Sequence, residues 1–204
     1  MNKLTPALLF DLGGVIMNIK RECAVKAFEE LGMADADGFF DPYEQHGSFG
    51  LLEAGQISAD EFRADVRRQF RPGVTDDEID SALCEFLRGI PAERLERLKE
   101  LRQKGYKVYM LSNTNRIMWD RYVLKAFPGG LDNYFDGIVT SFEAGVCKPD
   151  AKIYDYAIKK LGLNPEETTF FDDGPANIAA AEKSGFKTRL IQGDDTMLKL
   201  TENA

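Results

Sequence analysis

The chain has 204 residues, 44% of them apolar and 29% charged, with a formal net charge of −8. That length suits one substantial domain plus a smaller insertion, and the negative balance gives no long-range pull toward nucleic acid or an anionic membrane. No apolar run approaches a bilayer span, the stretch before Asp11 is too short for a signal-peptide core, and three cysteines (Cys23, Cys84, Cys147) without paired metal spacing fit free thiols in a reduced, cytoplasmic protein.

Ala7-Leu8-Leu9-Phe10 reads as a short, fully buried strand that ends at Asp11. Gly13 and Gly14 follow almost at once and leave room for a ligand to approach the backbone beside that carboxylate. The next run of this kind is distant, at Tyr106 to Leu111, and the segment between the two has helical periodicity. Cys23, Ala24, Val25, Ala27, Phe28 and Leu31 fit one amphipathic helix closed by Gly32. Phe62, Val66 and Phe70 fit a second, opened by a Ser58–Glu61 capping box and stopped by Pro72-Gly73. Thr75 caps a third, which carries Ile79, Leu83, Phe86 and Leu87. Residues 16–89 are therefore expected to form a small helical bundle, inserted into a core made of 1–15 and 90–204.

From Pro91 onward helix and strand alternate. Pro91 suits the first helical position, Leu95, Leu98 and Leu101 form a buried stripe, and Gly105 ends the helix before the strand at Tyr106 to Leu111. A helix is expected from Arg116 to Ala126, a strand at Gly137 to Thr140, and a helix capped by Asp150 and ended by Gly162. A strand at Thr168 to Phe171, a helix opened by Pro175 and ended at Gly185, and a last strand at Lys187 to Ile191 complete the chain. This order predicts an α/β fold with a parallel sheet and crossover helices.

Ligands of such sheets bind outside the carboxyl ends of the strands. Four polar groups or pairs lie at or near such exits: Asp11, Ser112, Lys148 and Asp172-Asp173. Asp11 can act as a carboxylate nucleophile. Asp172, Asp173 and the Gly13 carbonyl can join Asp11 around a hard cation such as Mg²⁺, which takes a few oxygens plus phosphate and water. Ser112 and the Asn113 backbone can hold a phosphate oxygen, and Lys148 can neutralise charge on the transferring group. Alone, each of these features reads equally well as a turn or a helix cap; their succession at strand exits is what points to one site.

The set resembles the haloacid dehalogenase superfamily of phosphohydrolases across nearly the whole chain. The matching segments are Phe10-Asp11-Leu12-Gly13-Gly14-Val15, Met110-Leu111-Ser112-Asn113-Thr114-Asn115, Cys147-Lys148-Pro149-Asp150 and Phe170-Phe171-Asp172-Asp173-Gly174-Pro175-Ala176-Asn177. The subgroup most similar includes α-D-glucose-1-phosphate phosphatases and the phosphatase domain of soluble epoxide hydrolase. The resemblance implies a Rossmann-like parallel sheet whose helical insertion is a mobile cap. It also implies Asp11 and Asp173 as direct metal ligands, Asp172 as a ligand directly or through water, and Asn177 as the residue that orders the fourth motif's loop. The implied activity is Mg²⁺-dependent hydrolysis of a small phosphorylated metabolite, such as a sugar phosphate, through an aspartyl-phosphate. A metal-independent 2-haloacid dehalogenase and a non-catalytic ligand-binding homologue are the alternatives. The expected partner is the small substrate alone, with no nucleic acid or membrane, in a monomer or homodimer.

One position departs from the pattern. Most phosphatases of the superfamily carry a second Asp two residues after the nucleophile as general acid and base, where this chain has Gly13. Either the leaving group needs less help, or a cap residue gives the proton. Glu53 and Gln56 are cap residues expected to meet the substrate, because Glu53-Ala54-Gly55-Gln56-Ile57-Ser58 resembles a specificity loop of such caps, and the sole histidine, His46, is a further candidate contact in the cap. For His46 a plain surface or loop role is the favoured reading, with substrate contact or proton donation as the alternative.

Overall fold

A computed structural model describes residues 4–40, 47–192 and 196–202. Five strands form one parallel sheet: β1 (Ala7–Phe10), β2 (Lys107–Ser112), β3 (Gly137–Thr140), β4 (Thr168–Asp172) and β5 (Lys187–Leu190). Their spatial order is β3-β2-β1-β4-β5. The chain extends the sheet outward on one side of β1 and then returns to its other side, so the direction of winding reverses between β1 and β4. Ligand crevices open at the carboxyl ends of strands flanking such a reversal.

Both faces of the sheet are covered, which is why its inner strands read as unbroken apolar runs. Leu8, Phe10, Val108, Met110 and Phe171 point into one core, and Leu9, Leu111, Val139 and Phe170 into the other. The second core is closed by α9 (Ala151–Leu161) and α10 (Pro175–Lys183), through Ile153, Tyr154, Ala157 and Ala181. The first is continuous with the apolar interior of the segment inserted between β1 and β2.

That segment holds α1 (Arg21–Leu31), α2 (Ala36–Phe39), α3 (Gly47–Glu53), α4 (Ala59–Val66) and α5 (Asp76–Cys84). Phe28 packs edge-on against Phe40 and Phe70, and Phe49 stacks on Phe86. The capping boxes at Ser58–Glu61 and Thr75–Glu78 start α4 and α5. Two expected helices are shorter than their apolar spacing suggests. α4 tightens into a 3-10 turn at Arg67–Gln69, so Phe70 is extended and turns back onto Phe28; Pro72 disfavours helical geometry in the residue before it, so the helix closes early. α5 stops at Cys84, and the released chain pairs with the incoming segment through Ile19–Leu87, Asn18 N–H to the Gly89 carbonyl and Arg88 N–H to the Asn18 carbonyl. The two connections between insertion and sheet thus run side by side.

Charged contacts tie the insertion together and to the rest. Arg63 of α4 donates two 2.8 Å bonds to buried Asp80 of α5. Arg121, at the end of α7 (Arg116–Arg121), donates to Asp77 at 2.6 Å. The expected helix from Arg116 to Ala126 breaks at Tyr122, and Val123–Ala126 forms a 3-10 turn. Pro91 stands one position earlier than expected, as the N-cap of α6 (Ala92–Gln103). The remaining α-helices among the described residues are the short α8 (Ser141–Ala144) and α11 (Met197–Leu200). No helix among the described residues is long and apolar enough to cross a membrane.

Candidate active site

The register of the sheet sets the first part of the site. Phe10 lies opposite Phe171, so Asp11 and Asp172 leave β1 and β4 side by side, and the Asp11 N–H donates to the Phe171 carbonyl at 2.9 Å. Lys148 arrives from the loop after α8. Its backbone is held by Asn113, whose side chain donates to the Lys148 carbonyl at 2.9 Å and accepts from the Lys148 N–H at 2.8 Å. The ammonium is buried between Asp11 Oδ1 and Asp172 Oδ2, at 2.7 Å from each, and also donates to the Leu111 carbonyl at 3.1 Å. The second oxygen of Asp172 accepts from the Gly174 N–H at 2.7 Å and from Asn177 Nδ2 at 2.9 Å. Asn177 therefore ties the helix after β4 to the strand end.

Asp11, Asp172 and Asp173 each offer a carboxylate oxygen within 4.8 Å of the others. Burial pushes the Asp11 carboxyl up to about 7; Lys148 pulls the other way, and the Asp172 and Asp173 charges add to the rise. Asp173 is raised for the same reasons, burial first and then the Asp172 charge. Lys148 is itself raised: burial works against its charge, but Asp11 and Asp172 outweigh it. Gly14, with φ of 74°, passes so close to Asp173 that an added Cβ would overlap its carboxylate. That close approach is what requires glycine at this position.

A cavity of about 240 Å³ lies over this edge. Its floor includes Gly13, Ser112, Asn113 and Thr114, and its walls Leu12, Ile19, Phe40, Phe49, Phe86 and Met118. Arg21 and Glu53 are its charged lining residues among those described. Glu53 is buried, and burial pushes its carboxyl up to about 7; Lys148 opposes the shift and Asp11 adds to it. Gln56 is exposed in the turn after α3 and does not line this cavity. His46 lies outside the described residues.

Sequence reasoning passed over Ser141. Its hydroxyl accepts from the Thr114 N–H at 3.0 Å and sits 2.6 Å from the Glu53 carbonyl and 2.9 Å from that of Thr114. It thereby ties two strand exits to the insertion. As the first residue past Thr140, it stands at a strand end as Asp11 does, and that was the available signal. Arg21 gave no comparable signal; its guanidinium is oriented by the Phe40 carbonyl at 2.6 Å and Asp37 at 2.8 Å.

A profile of the haloacid dehalogenase-like hydrolases matches residues 5–185. The chain belongs to this hydrolase family. It is 39% identical over 184 residues to D-ribitol-5-phosphate phosphatase of Bacteroides thetaiotaomicron, covering 89% of each protein. It is 37% identical over 93 residues to (S)-2-haloacid dehalogenase 4A of Burkholderia cepacia, covering 46% of this chain and 39% of that one. A solved structure of a haloacid dehalogenase family enzyme from B. thetaiotaomicron, a variant in complex with magnesium and inorganic phosphate, superposes with a TM-score of 0.91 at 34% identity. It covers 98% of this chain and 99% of that chain.

Within this haloacid dehalogenase-like hydrolase, Gly13 faces an apolar neighbour. A Cβ added there would meet two Ile19 methyl carbons, at 3.4 and 3.6 Å, and Gly13 has no positive φ that excludes a side chain. The position beside Asp11 is therefore accessible to a larger residue but carries no proton donor.

Proposed function

We propose that this hydrolase is a Mg²⁺-dependent phosphatase that dephosphorylates a small phosphorylated metabolite through an aspartyl-phosphate on Asp11. The observation that carries this reading is the meeting of three carboxylates and one buried ammonium at the reversal point of the sheet. With all three acids ionised, one lysine leaves an excess of two negative charges. A hard divalent cation offsets that excess, and an oxygen-only donor set suits Mg²⁺ better than a softer metal.

Asp11, Asp173 and the Gly13 carbonyl would hold the ion, with Asp172 contacting it directly or through water. When bound, the ion screens the repulsion between an anionic nucleophile and an anionic phosphate. The chain supplies the rest. Lys148 fixes the Asp11 carboxylate and neutralises charge on the transferring group. Ser112, Asn113 and the backbone at Gly13-Gly14 hold the phosphate oxygens. Asp11 attacks phosphorus in line with the leaving oxygen, and water then cleaves the acyl phosphate. Residues 16–89 act as a cap that closes over the core of 1–15 and 90–204 and excludes bulk water. Glu53 contacts the substrate from that cap, with Gln56 and His46 as further contacts on closure.

At about 240 Å³ the cavity lies just below the usual size range of ligand sites, which supports a compact organic group. A sugar or polyol phosphate is the class favoured by the similarity to D-ribitol-5-phosphate phosphatase. The test is a phosphate-release screen over sugar, polyol, nucleotide and acyl phosphates, with and without Mg²⁺, on the wild type and Asp11→Asn. The reading expects release that needs both Mg²⁺ and Asp11. Substantial turnover by Asp11→Asn rejects the nucleophile, and chelator-resistant halide release from 2-haloacids favours the dehalogenase alternative. The partial similarity to a haloacid dehalogenase keeps that alternative in the screen; the acid cluster weighs against it, because it repels a haloacid carboxylate.

A further inference from the structure

Among the described groups of the site, Glu53 is the buried acid to which neither the nucleophilic step nor the metal site assigns a chemical task. It lines the same cavity as Gly13 and Ser112, and it is the one carboxylate among the described lining residues that comes from the inserted segment. The position beside the nucleophile, where a proton donor could stand, presents only glycine and the methyl groups of Ile19. Position 13 therefore offers no acid, while Glu53 brings a buried carboxyl from the inserted segment to the same cavity.

The placement of Glu53 is built from the core. Glu53 is the last residue of α3. Its carbonyl accepts from Ser141, whose hydroxyl also accepts from Thr114 at the exit of β2. Two residues on, Gly55, with φ of 63°, lies so close to the Phe142 carbonyl that a Cβ would overlap it. Two tight contacts from just past the end of β3 thus fix the backbone at Glu53 and two residues after it, as a group held over a reacting centre requires.

We propose that Glu53 is the proton donor of this hydrolase, delivered from the inserted segment in place of the acid absent at Gly13. The proposal rests on the phosphatase reading above. In the first half-reaction the Asp11 carboxylate forms a bond to phosphorus as the bond from phosphorus to the leaving oxygen breaks. That oxygen keeps the electron pair and takes the Glu53 proton, which gives a neutral alcohol and a Glu53 carboxylate. In the second half-reaction Glu53 takes a proton from water as the water oxygen bonds to phosphorus. The bond from phosphorus to Asp11 then breaks, which restores the Asp11 carboxylate, the protonated Glu53 and free phosphate. Burial favours the protonated form that the first step needs.

The test is the single-turnover release of the leaving group by full-length Glu53→Gln, with Mg²⁺, from two phosphomonoesters. One is a sugar or polyol phosphate turned over by the wild type, whose alkoxide leaves poorly; the other is p-nitrophenyl phosphate, whose phenolate leaves without protonation. Loss of general acid catalysis is expected to slow alcohol release about 100-fold and to leave nitrophenolate release within about fivefold. Adding Gly13→Asp to Glu53→Gln is expected to recover at least about tenfold of the alcohol release. Equal losses on both esters, or none on either, overturn the proposal, because a merely structural or binding role does not sort substrates by leaving group. The selective loss in His46→Gln with none in Glu53→Gln overturns it as well. Failure of the underlying reading looks different: the wild type then releases no phosphate from any ester, and both proposals fall together.

Discussion

The ammonium of Lys148 bridges the ends of β1 and β4, 2.7 Å from an oxygen of Asp11 and 2.7 Å from an oxygen of Asp172. Lys148→Met removes the one positive charge between two buried carboxylates. Breaking a buried pair of this kind costs about 3–5 kcal/mol. Thermal unfolding of the metal-free variant should show a marked loss of stability. Added Mg²⁺ should then stabilise Lys148→Met more than it stabilises the wild type, because the variant has more uncompensated charge. Turnover should still fall at least about 100-fold, since in the proposed mechanism the lost charge also serves the transferring phosphoryl group. Equal Mg²⁺ stabilisation of the two proteins would count against a cation site at these acids.

Gly14 offers a way to disturb the proposed metal site without touching a carboxylate. In Gly14→Ala the new methyl must displace Asp173, and a φ of 74° strains any residue with a Cβ. The Mg²⁺ concentration for half-maximal phosphate release should rise about 10–100-fold, the usual effect of disturbing what positions a ligand. A Mg²⁺ titration checks this. An unchanged half-saturation would place the ion away from Asp173.

The edge that carries the candidate site was legible in the sequence for a physical reason. Strands buried on both faces read as unbroken apolar runs, so the first polar residue after each run marks the carboxyl end where a parallel sheet binds ligands. Asp11, Ser112 and Asp172 stood out in that way. The pairing of β1 with both β2 and β4 was not legible, because spacing along the chain carries no register between strands. α3 escaped notice because Gly47-Ser48-Phe49-Gly50 has poor helix propensity, and its packing holds the helix instead. The cavity's apolar wall was equally hidden. Phe86 and Leu87 looked like the end of a helical stripe; they leave the helix, Phe86 to stack on Phe49 and Leu87 to pair with Ile19.

Ser141 is the hinge between that hidden part and the legible one. Ser141→Ala leaves the Thr114 N–H and the Glu53 carbonyl without their shared partner, a loss of about 1–3 kcal/mol for buried groups. The expected result is a lower unfolding temperature together with a several-fold fall in kcat/KM, since α3 loses its tie to β3. Gly55→Ala should reproduce the kinetic effect by pushing the same loop off the Phe142 carbonyl. Wild-type kcat/KM in both variants would show that the contact is not what holds the insertion over the site.

The inserted segment also carries its own pH dependence, through Glu78 at the start of α5. The Thr75 backbone N–H, the Thr75 hydroxyl and Arg71 all bond its carboxylate, at 2.8, 2.9 and 2.9 Å, and hold its pKa down at about 2 against an ordinary 4.5. A carboxyl depressed on folding contributes stability that is complete above its unfolded pKa and is lost as pH falls through the folded one. The contribution is therefore present at neutral pH and disappears between 4.5 and about 2. Glu78→Gln keeps a capping side chain but cannot ionise. Its unfolding temperature should lie below that of the wild type near neutrality, and the gap should close as the pH is lowered through that window. A gap that stayed constant down to the lowest pH would mean that the ionised cap contributes nothing to the stability of α5.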